Sequence, residues 1–311
     1  MFMFCIAMND IPTTFVQPQK LICDDKHKFS KFKFSKTFLM LNNFIDTLCV
    51  LAQGQDCYSV EQTEFTSKLD IILTKVLNIF ESIPPVQRQS RYGNPSFLKF
   101  IEHLQTVSEE LHKDVLLNHE EAWIEIKYYF MDMFGSYGRL DYGTGHELNF
   151  LCWFISFCRI GIAGSKEDLQ SFVLNLFPKY MQIALKIQNI YTLEPAGSRG
   201  AWSVDDYNLL PFVIGSSQFS MSDISVKIIF DDSQIMKYRE KNLYAFMVSN
   251  IIEVKSYSLE INSPFISEIH YKDGMNWAKI FKGMRRHYNE EVFGKWPVMQ
   301  HFWFGNIFGI E

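Results

Sequence analysis

The segment SVEQTEFTSKLDIILTKVLNIFESIPP, residues 59–85, decides the fold class. Its apolar side chains Phe65, Leu69, Ile72, Leu73, Val76 and Phe80 recur at steps of three and four, which puts them on one face of an α-helix. Ser59-x-x-Gln62 has the pattern of a capping box in front of that helix. Ile83-Pro84-Pro85 stops it, because proline lacks an amide hydrogen and pushes its predecessor out of the helical region. The same period returns in both directions. Residues 37–51 are apolar at 38, 41, 45 and 48, and residues 96–111 at 97, 100, 101, 104, 107 and 111. Further helices are expected over 120–134, 146–162, 168–190 and 205–219, with Ser165 and Asp168 marking a helix start and Pro178 a kink. Strand signals are sparse: residues 225–230 alternate weakly and support at most a small β-hairpin. The fold class read from this pattern is all-α. No fixed-period repeat or low-complexity linker divides the chain, so one body with lobes is expected.

Composition narrows the function classes. The chain has 311 residues, 47% hydrophobic and 21% charged, the balance of a soluble globular protein. Its net charge of -5 argues against nucleic-acid binding, which needs a basic footprint to displace counterions from phosphates. The 29 Phe fit an AT-rich coding bias better than an aromatic binding surface. Lys26, Lys28, Lys31, Lys33 and Lys36 interleave with Phe29, Phe32 and Phe34, a pattern that suits an acidic or membrane surface but reads first as a solvated connector into a helix. The cysteines at 5, 23, 49, 57, 152 and 158 make no Cys-x-x-Cys pair and read as reduced thiols of a cytosolic protein. The apolar start, residues 1–8, lacks a basic leader and is not expected to be a signal peptide. The longest apolar stretch, 148–163, is broken by Asn149 and Arg159 and falls short of the roughly 20 residues that span a bilayer.

Two polar clusters carry chemistry. In the first, Gly135-Ser-Tyr-Gly-Arg-Leu-Asp-Tyr-Gly-Thr-Gly-His-Glu147 lies between two expected helices. Glycines let backbone amides approach a ligand, the following helix presents free N–H groups and its positive dipole end, and Arg139 adds a forked donor: an anion or nucleotide-phosphate site. A turn held by Asp141 and Arg139 is the equal structural alternative. His146-Glu147 lacks the second histidine of a zinc-protease motif, since position 150 is Phe, and no Gly-x-x-x-x-Gly-Lys-Ser/Thr loop occurs. In the second cluster, Glu194-Pro-Ala-Gly-Ser-Arg-Gly-Ala-Trp-Ser-Val-Asp-Asp-Tyr207, two adjacent carboxylates beside glycine carbonyls could ligate magnesium, or Asp205 or Asp206 could cap the next helix.

With Arg91-Tyr-Gly-Asn94, Arg139 to Glu147 and Glu194 to Gly200 in this order, the chain resembles the phosphotyrosyl phosphatase activator family. The likeness continues through Leu210 to Gln218 and Pro297 to Gly305, covering about 15–305. Pro95-Ser96, Ser203 and Ile214 depart from the family pattern. The resemblance implies a helical domain over 15–311 with core, lid and linker lobes, behind a disordered segment 1–14. It implies ATP and Mg2+ as cofactors, with Arg139, Thr144 and Gly145 on phosphate oxygens, Pro297, Val298 and His301 flanking the nucleotide, and Gly200 and Asp206 at magnesium. It further implies an activator that binds the catalytic and scaffold subunits of type 2A protein phosphatase, promotes metal loading, and rotates X-Pro bonds of a proline-containing peptide held by Trp202, Asp205 and Arg91. A binding chaperone without turnover is the alternative. A nucleotide hydrolase is a third reading, without an evident base. A cytoplasmic location with a nuclear pool, no nucleic-acid or membrane partner, and a homodimer induced by peptide complete the expectation.

Overall fold

The computed structural model describes residues 11–23, 25–87, 93–197, 207–254 and 258–311. Among them helices dominate. The first half contains α1 (Lys26–Phe32), α2 (Lys36–Ala52), α3 (Glu64–Glu81), α4 (Ser96–His112), α5 (Trp123–Asp132), α6 (Thr144–Arg159), α7 (Lys166–Ser171) and α8 (Phe177–Ile190). The second half adds α9 (Leu210–Phe219), α10 (Asp232–Ile235), α11 (Leu243–Val254), α12 (Leu259–Asn262), α13 (Pro264–Tyr271), α14 (Trp277–Tyr288) and α15 (Trp296–Met299).

The deciding segment behaves as its period requires: Leu69, Ile72, Leu73, Val76 and Phe80 are the buried face of α3. Its start differs from the expectation. The capping box is Thr63 with Thr66, each side chain accepting from the other's backbone N–H. Ser59 lies too far ahead of the helix, which begins at Glu64, and its hydroxyl instead donates to the Asp56 carbonyl at 2.6 Å. Ser165 and Asp168 do form a capping box, at the start of α7. Near Pro178 the helical run passes through a π-turn at 172–176 before α8 resumes. Proline has no N–H for the Leu174 carbonyl four residues back, and the N–H of Tyr58 takes that carbonyl at 2.7 Å.

The strand expectation needs correction. Residues 226–230 form a 3-10 turn capped by Ser225. The strands are β1 (Asp141–Tyr142) and β2 (Glu194–Pro195), and they pair in parallel, so they make no hairpin. The expected helix over 205–219 begins at Leu210, and residues 207–209 are not helical. The lysine-rich segment is itself a helix, α1, whose Phe32 is buried against Phe38, Phe293, Phe302 and Phe304.

Helix α6 is the axis of the molecule, buried at every position from Leu148 to Cys158. Phe150 stacks on Tyr180 with ring centroids 3.8 Å apart and Phe154 on Phe172 at 3.9 Å. Behind it, α9 packs against α2, α11 and α14. A Cβ at Gly215 of α9 would lie 2.0 Å from the Tyr244 backbone nitrogen, so only glycine admits that crossing. Both chain ends close over α5: Gln19 and Phe304 exchange backbone hydrogen bonds of 2.9 Å, and buried Glu125 accepts from the backbone N–H groups of Val16, Asn306 and Ile307. Of the segment 1–14, residues 1–10 lie outside the described residues, and Thr14 accepts from the Asn306 amide at 3.0 Å. Among the described residues Cys49, Cys57, Cys152 and Cys158 are free thiols, and burial pushes Cys49 and Cys57 up to about 12. Among the described residues no helix is long and apolar enough to cross a membrane.

Candidate functional site

The short parallel sheet joins the two polar clusters. Glu194 N–H donates to the Leu140 carbonyl at 2.9 Å and Ala196 N–H to the Tyr142 carbonyl at 2.8 Å. The approach is so close that a Cβ at Gly143 would sit 2.9 Å from the Ala196 Cβ. The third motif reaches the same place: Asn94 N–H donates to the Tyr191 carbonyl at 2.6 Å, and a side chain at Gly93 would strike Leu140. The Asn94 side chain closes its own loop by accepting from Val86 and Ser96 N–H groups. In the departing pair Pro95-Ser96, the Ser96 hydroxyl donates to the Pro84 carbonyl at 2.9 Å, and the departing Ile214 is buried in α9.

After β1 the chain turns at Gly143 into α6. Glycine brings no side chain to cap that helix, so its first amides, at Thr144 and Gly145, open where an anion would be bound. They line a cavity of about 580 Å³, within the roughly 300–1,000 Å³ typical of small-ligand sites. Arg139, Thr144, Gly145, Pro297, Val298 and His301 all line it, although more than one hundred and fifty positions of chain separate the first from the last. The turn at Lys295 that opens α15 supplies the far wall, where Val298 Cγ1 is 3.6 Å from the point a Gly145 Cβ would occupy.

Arg139 Nε donates to Asp141 Oδ2 at 2.6 Å, so the structural turn and the cavity wall are one arrangement. Burial works to raise the Asp141 carboxyl, but the His146 ring, 3.7 Å from Oδ1, and the Arg139 guanidinium outweigh it and hold the group below the usual carboxylate range. His146 Nδ1 bonds the Asp132 carbonyl. Burial, then the positive neighbours Arg139 and Lys20, push His301 down to about 4, so near neutral pH its ring is uncharged and offers one donor and one acceptor. Lys20 also contributes to the wall, with its ammonium 4.2 Å from the Trp303 ring centre. A forked cation, two open helix amides and an apolar wall of Leu148, Val298 and Met299 suit a ligand that is anionic at one end and apolar at the other.

Arg91, Gly200, Trp202, Asp205 and Asp206 lie outside the described residues. The cavity is lined up to Ala196 and Gly197, the last described residues before three of them and Gly200. Among the described residues no group of three His, Cys, Asp or Glu side chains could hold a metal ion. Helix α9 has a carboxylate at its start that sequence reasoning did not assign: Glu147 Oε2 accepts from Leu209 N–H at 3.2 Å and Leu210 N–H at 2.9 Å. Lys20, Asp132, Asn149, Glu291 and Lys295 in the cavity wall were also missed. Only Asn149 left a trace, as a polar interruption four residues after Gly145 in an apolar run.

The sequence matches the family described as "Phosphotyrosyl phosphate activator (PTPA) protein" over residues 18–310. It is 37% identical over 305 residues to the serine/threonine-protein phosphatase 2A activator 2 of Cryptococcus neoformans, covering 97% of this chain and 79% of that one. It is 31% identical to activator 1 of Schizosaccharomyces pombe, over 96% and 92% of the two chains. The crystal structure of the PP2A phosphatase activator Ypa1 superposes with a TM-score of 0.88 at 29% identity, covering 97% of this chain and 98% of that one. On sequence and fold together, the chain belongs to the phosphotyrosyl phosphate activator (PTPA) protein family.

Proposed function

We propose that this protein activates type 2A serine/threonine protein phosphatases, binding the catalytic subunit within its scaffolded complex and promoting its metal loading with the help of Mg-ATP. The observation that carries the reading is the meeting of residues from 139–149, 196–197 and 297–301 at one cavity, in a chain that aligns with phosphatase 2A activators over most of its length. In this reading Arg139 and the amides of Thr144 and Gly145 hold phosphate oxygens, while Pro297, Val298 and His301 flank the rest of the nucleotide. Asp206 and the Gly200 carbonyl hold the magnesium ion, which neutralises phosphate charge when bound.

The same reading gives the protein peptidyl-prolyl isomerase activity. Rotation about X-Pro needs no nucleophile, only a grip on a twisted amide that lowers a barrier of about 20 kcal/mol. Trp202 would stack on proline, with Asp205 and Arg91 fixing the peptide backbone. Substoichiometric acceleration of a proline-peptide assay, lost in Asp205→Ala, supports turnover. A requirement for one activator per phosphatase supports a chaperone.

Titration against a purified catalytic subunit tests the partner. A saturable one-to-one complex, tightened by Mg-ATP, is expected. In Gly145→Val the added methyls enter the cavity beside Val298, and the nucleotide effect should fall at least about tenfold. Absence of any complex with wild-type protein would overturn the proposal.

A further inference from the structure

We infer that the basic strip along α1 docks an acidic segment of a partner protein, an extended run of Asp and Glu residues that ends on an apolar side chain. The strip takes no part in the cavity, so this goes beyond the nucleotide reading. Lys26 and Lys33 are seven positions apart, close to two helical turns, so they stand on one side of α1 about 10 Å apart along its axis, and Lys31 stands on the other edge of the same exposed face. Phe34, in the turn that follows, is 88% exposed. On the opposite side Phe32 is fully buried against Phe293, Phe302 and Phe304. The Ser35 hydroxyl donates to the Phe32 carbonyl at 2.8 Å and Phe34 N–H to the Lys31 carbonyl at 2.9 Å, so helix and turn hold the strip in one shape.

Charge chooses the partner. Lys26, Lys31 and Lys33 make no ion pair with a described residue, whereas Lys68, Lys186 and Lys272 on other helices each face a glutamate. Asp25, next to the strip in sequence, directs its carboxylate at the backbone N–H groups of His27 and Lys28, at 2.8 and 3.1 Å. Lys33 places its ammonium 4.6 Å over the Phe29 ring, which holds the charge without cancelling it. A chain of net charge -5 repels an acidic segment over most of its surface, and salt screens charges beyond about 8 Å at physiological ionic strength, so the strip sets where such a segment lands. Extended backbone advances about 3.3 Å per residue, so about three or four residues span Lys26 to Lys33 and the next meets Phe34. A flat anionic membrane fits less well. Asp25 lies at one end of the strip and Glu311, whose carbonyl accepts from Lys36 N–H, at the other, and a plane laid over the strip brings headgroups toward both carboxylates.

The experiment follows the anisotropy of a fluorescein-labelled peptide, a run of glutamates followed by leucine and phenylalanine, at about 0.15 M salt. Wild type should bind it saturably. Lys31→Glu with Lys33→Glu should weaken binding at least about tenfold and flatten its salt dependence. Lys113→Glu with Lys186→Glu, the same change of net charge on exposed lysines elsewhere, should alter it less than about twofold. Phe34→Ser should weaken it about three- to tenfold with the salt dependence kept. All these side chains are exposed, so the variants should melt with wild type. No saturable binding by wild type, or equal loss in the two lysine pairs, overturns the inference, and an unchanged affinity in Phe34→Ser overturns the apolar end of the segment. Retention of wild type on phosphatidylserine vesicles without binding of the peptide also overturns it and assigns the strip to a membrane surface.

Discussion

Glu147 ties the start of α6 to the start of α9 by accepting two backbone N–H groups in a fully buried setting. Glu147→Ala leaves both donors buried without that acceptor, and unfolding free energy should fall by roughly 2–5 kcal/mol, measured by urea denaturation. Glu147→Gln keeps an acceptor oxygen and should lose less than half as much. At the cavity, Arg139→Ala removes the forked cation and should weaken Mg-ATP binding by about ten- to a hundredfold in calorimetry. The two residues differ in how legible they were. Arg139 stands among glycines ahead of a helix, and that local context alone suggested an anion site. Glu147 has partners at 209 and 210, and no local pattern announces a bond across that span.

At the scale of the element, the period of apolar residues carried most of the information, because a helix face is written in consecutive turns. Helices α2, α3, α4 and α6 occur within a few residues of the expected spans. The misses have local causes. The α3 cap is Thr63 because the helix begins at Glu64 and Thr66 returns the bond that completes the box, and β1 and β2 are too short to leave an alternating pattern. Pro178 was legible as a disturbance, but its form, a π-turn whose carbonyl is taken by Tyr58, depends on a distant loop. The crossing of α9 and α11 depends on Gly215 in the same way. Gly215→Ala forces a methyl against the Tyr244 backbone and should cost at least about 3 kcal/mol in urea unfolding, whereas the nearby change Ser220→Ala, on a half-buried helix end, should cost under about 1 kcal/mol.

Across the whole molecule, several imidazoles are held neutral by burial. His112 is pushed down to about 4, with Nε2 accepting from the Trp153 indole at 3.0 Å and Nδ1–H donating to the Ser108 carbonyl at 2.7 Å. His270 is also pushed down to about 4, with Nδ1–H on the Val226 carbonyl and Nε2 facing the Tyr244 hydroxyl. At His112 a second proton would meet the donor-only indole of Trp153, and at His270 it would require the Tyr244 hydroxyl to turn from donor to acceptor. Since the unfolded chain binds that proton below about 6.5 and the folded one only near 4, stability is complete above that upper value and declines as pH falls through this window. Urea denaturation at pH 7 and pH 4.5 should show a loss on the order of a few kcal/mol; an unchanged midpoint would contradict it. The cavity itself also belongs to this scale. Residues 139–145 and 297–301 meet only in the folded chain, so their joint site was legible through family resemblance and not through spacing.

The most direct measurement of the central claim is dephosphorylation of a phosphopeptide by a metal-stripped type 2A catalytic subunit. It is run with and without this protein and Mg-ATP, and with Asp206→Ala beside wild type. The account predicts that wild type with Mg-ATP restores activity and that Asp206→Ala restores little of it. Failure of wild-type protein to restore any activity to a catalytic subunit that remains competent to bind metal would contradict it.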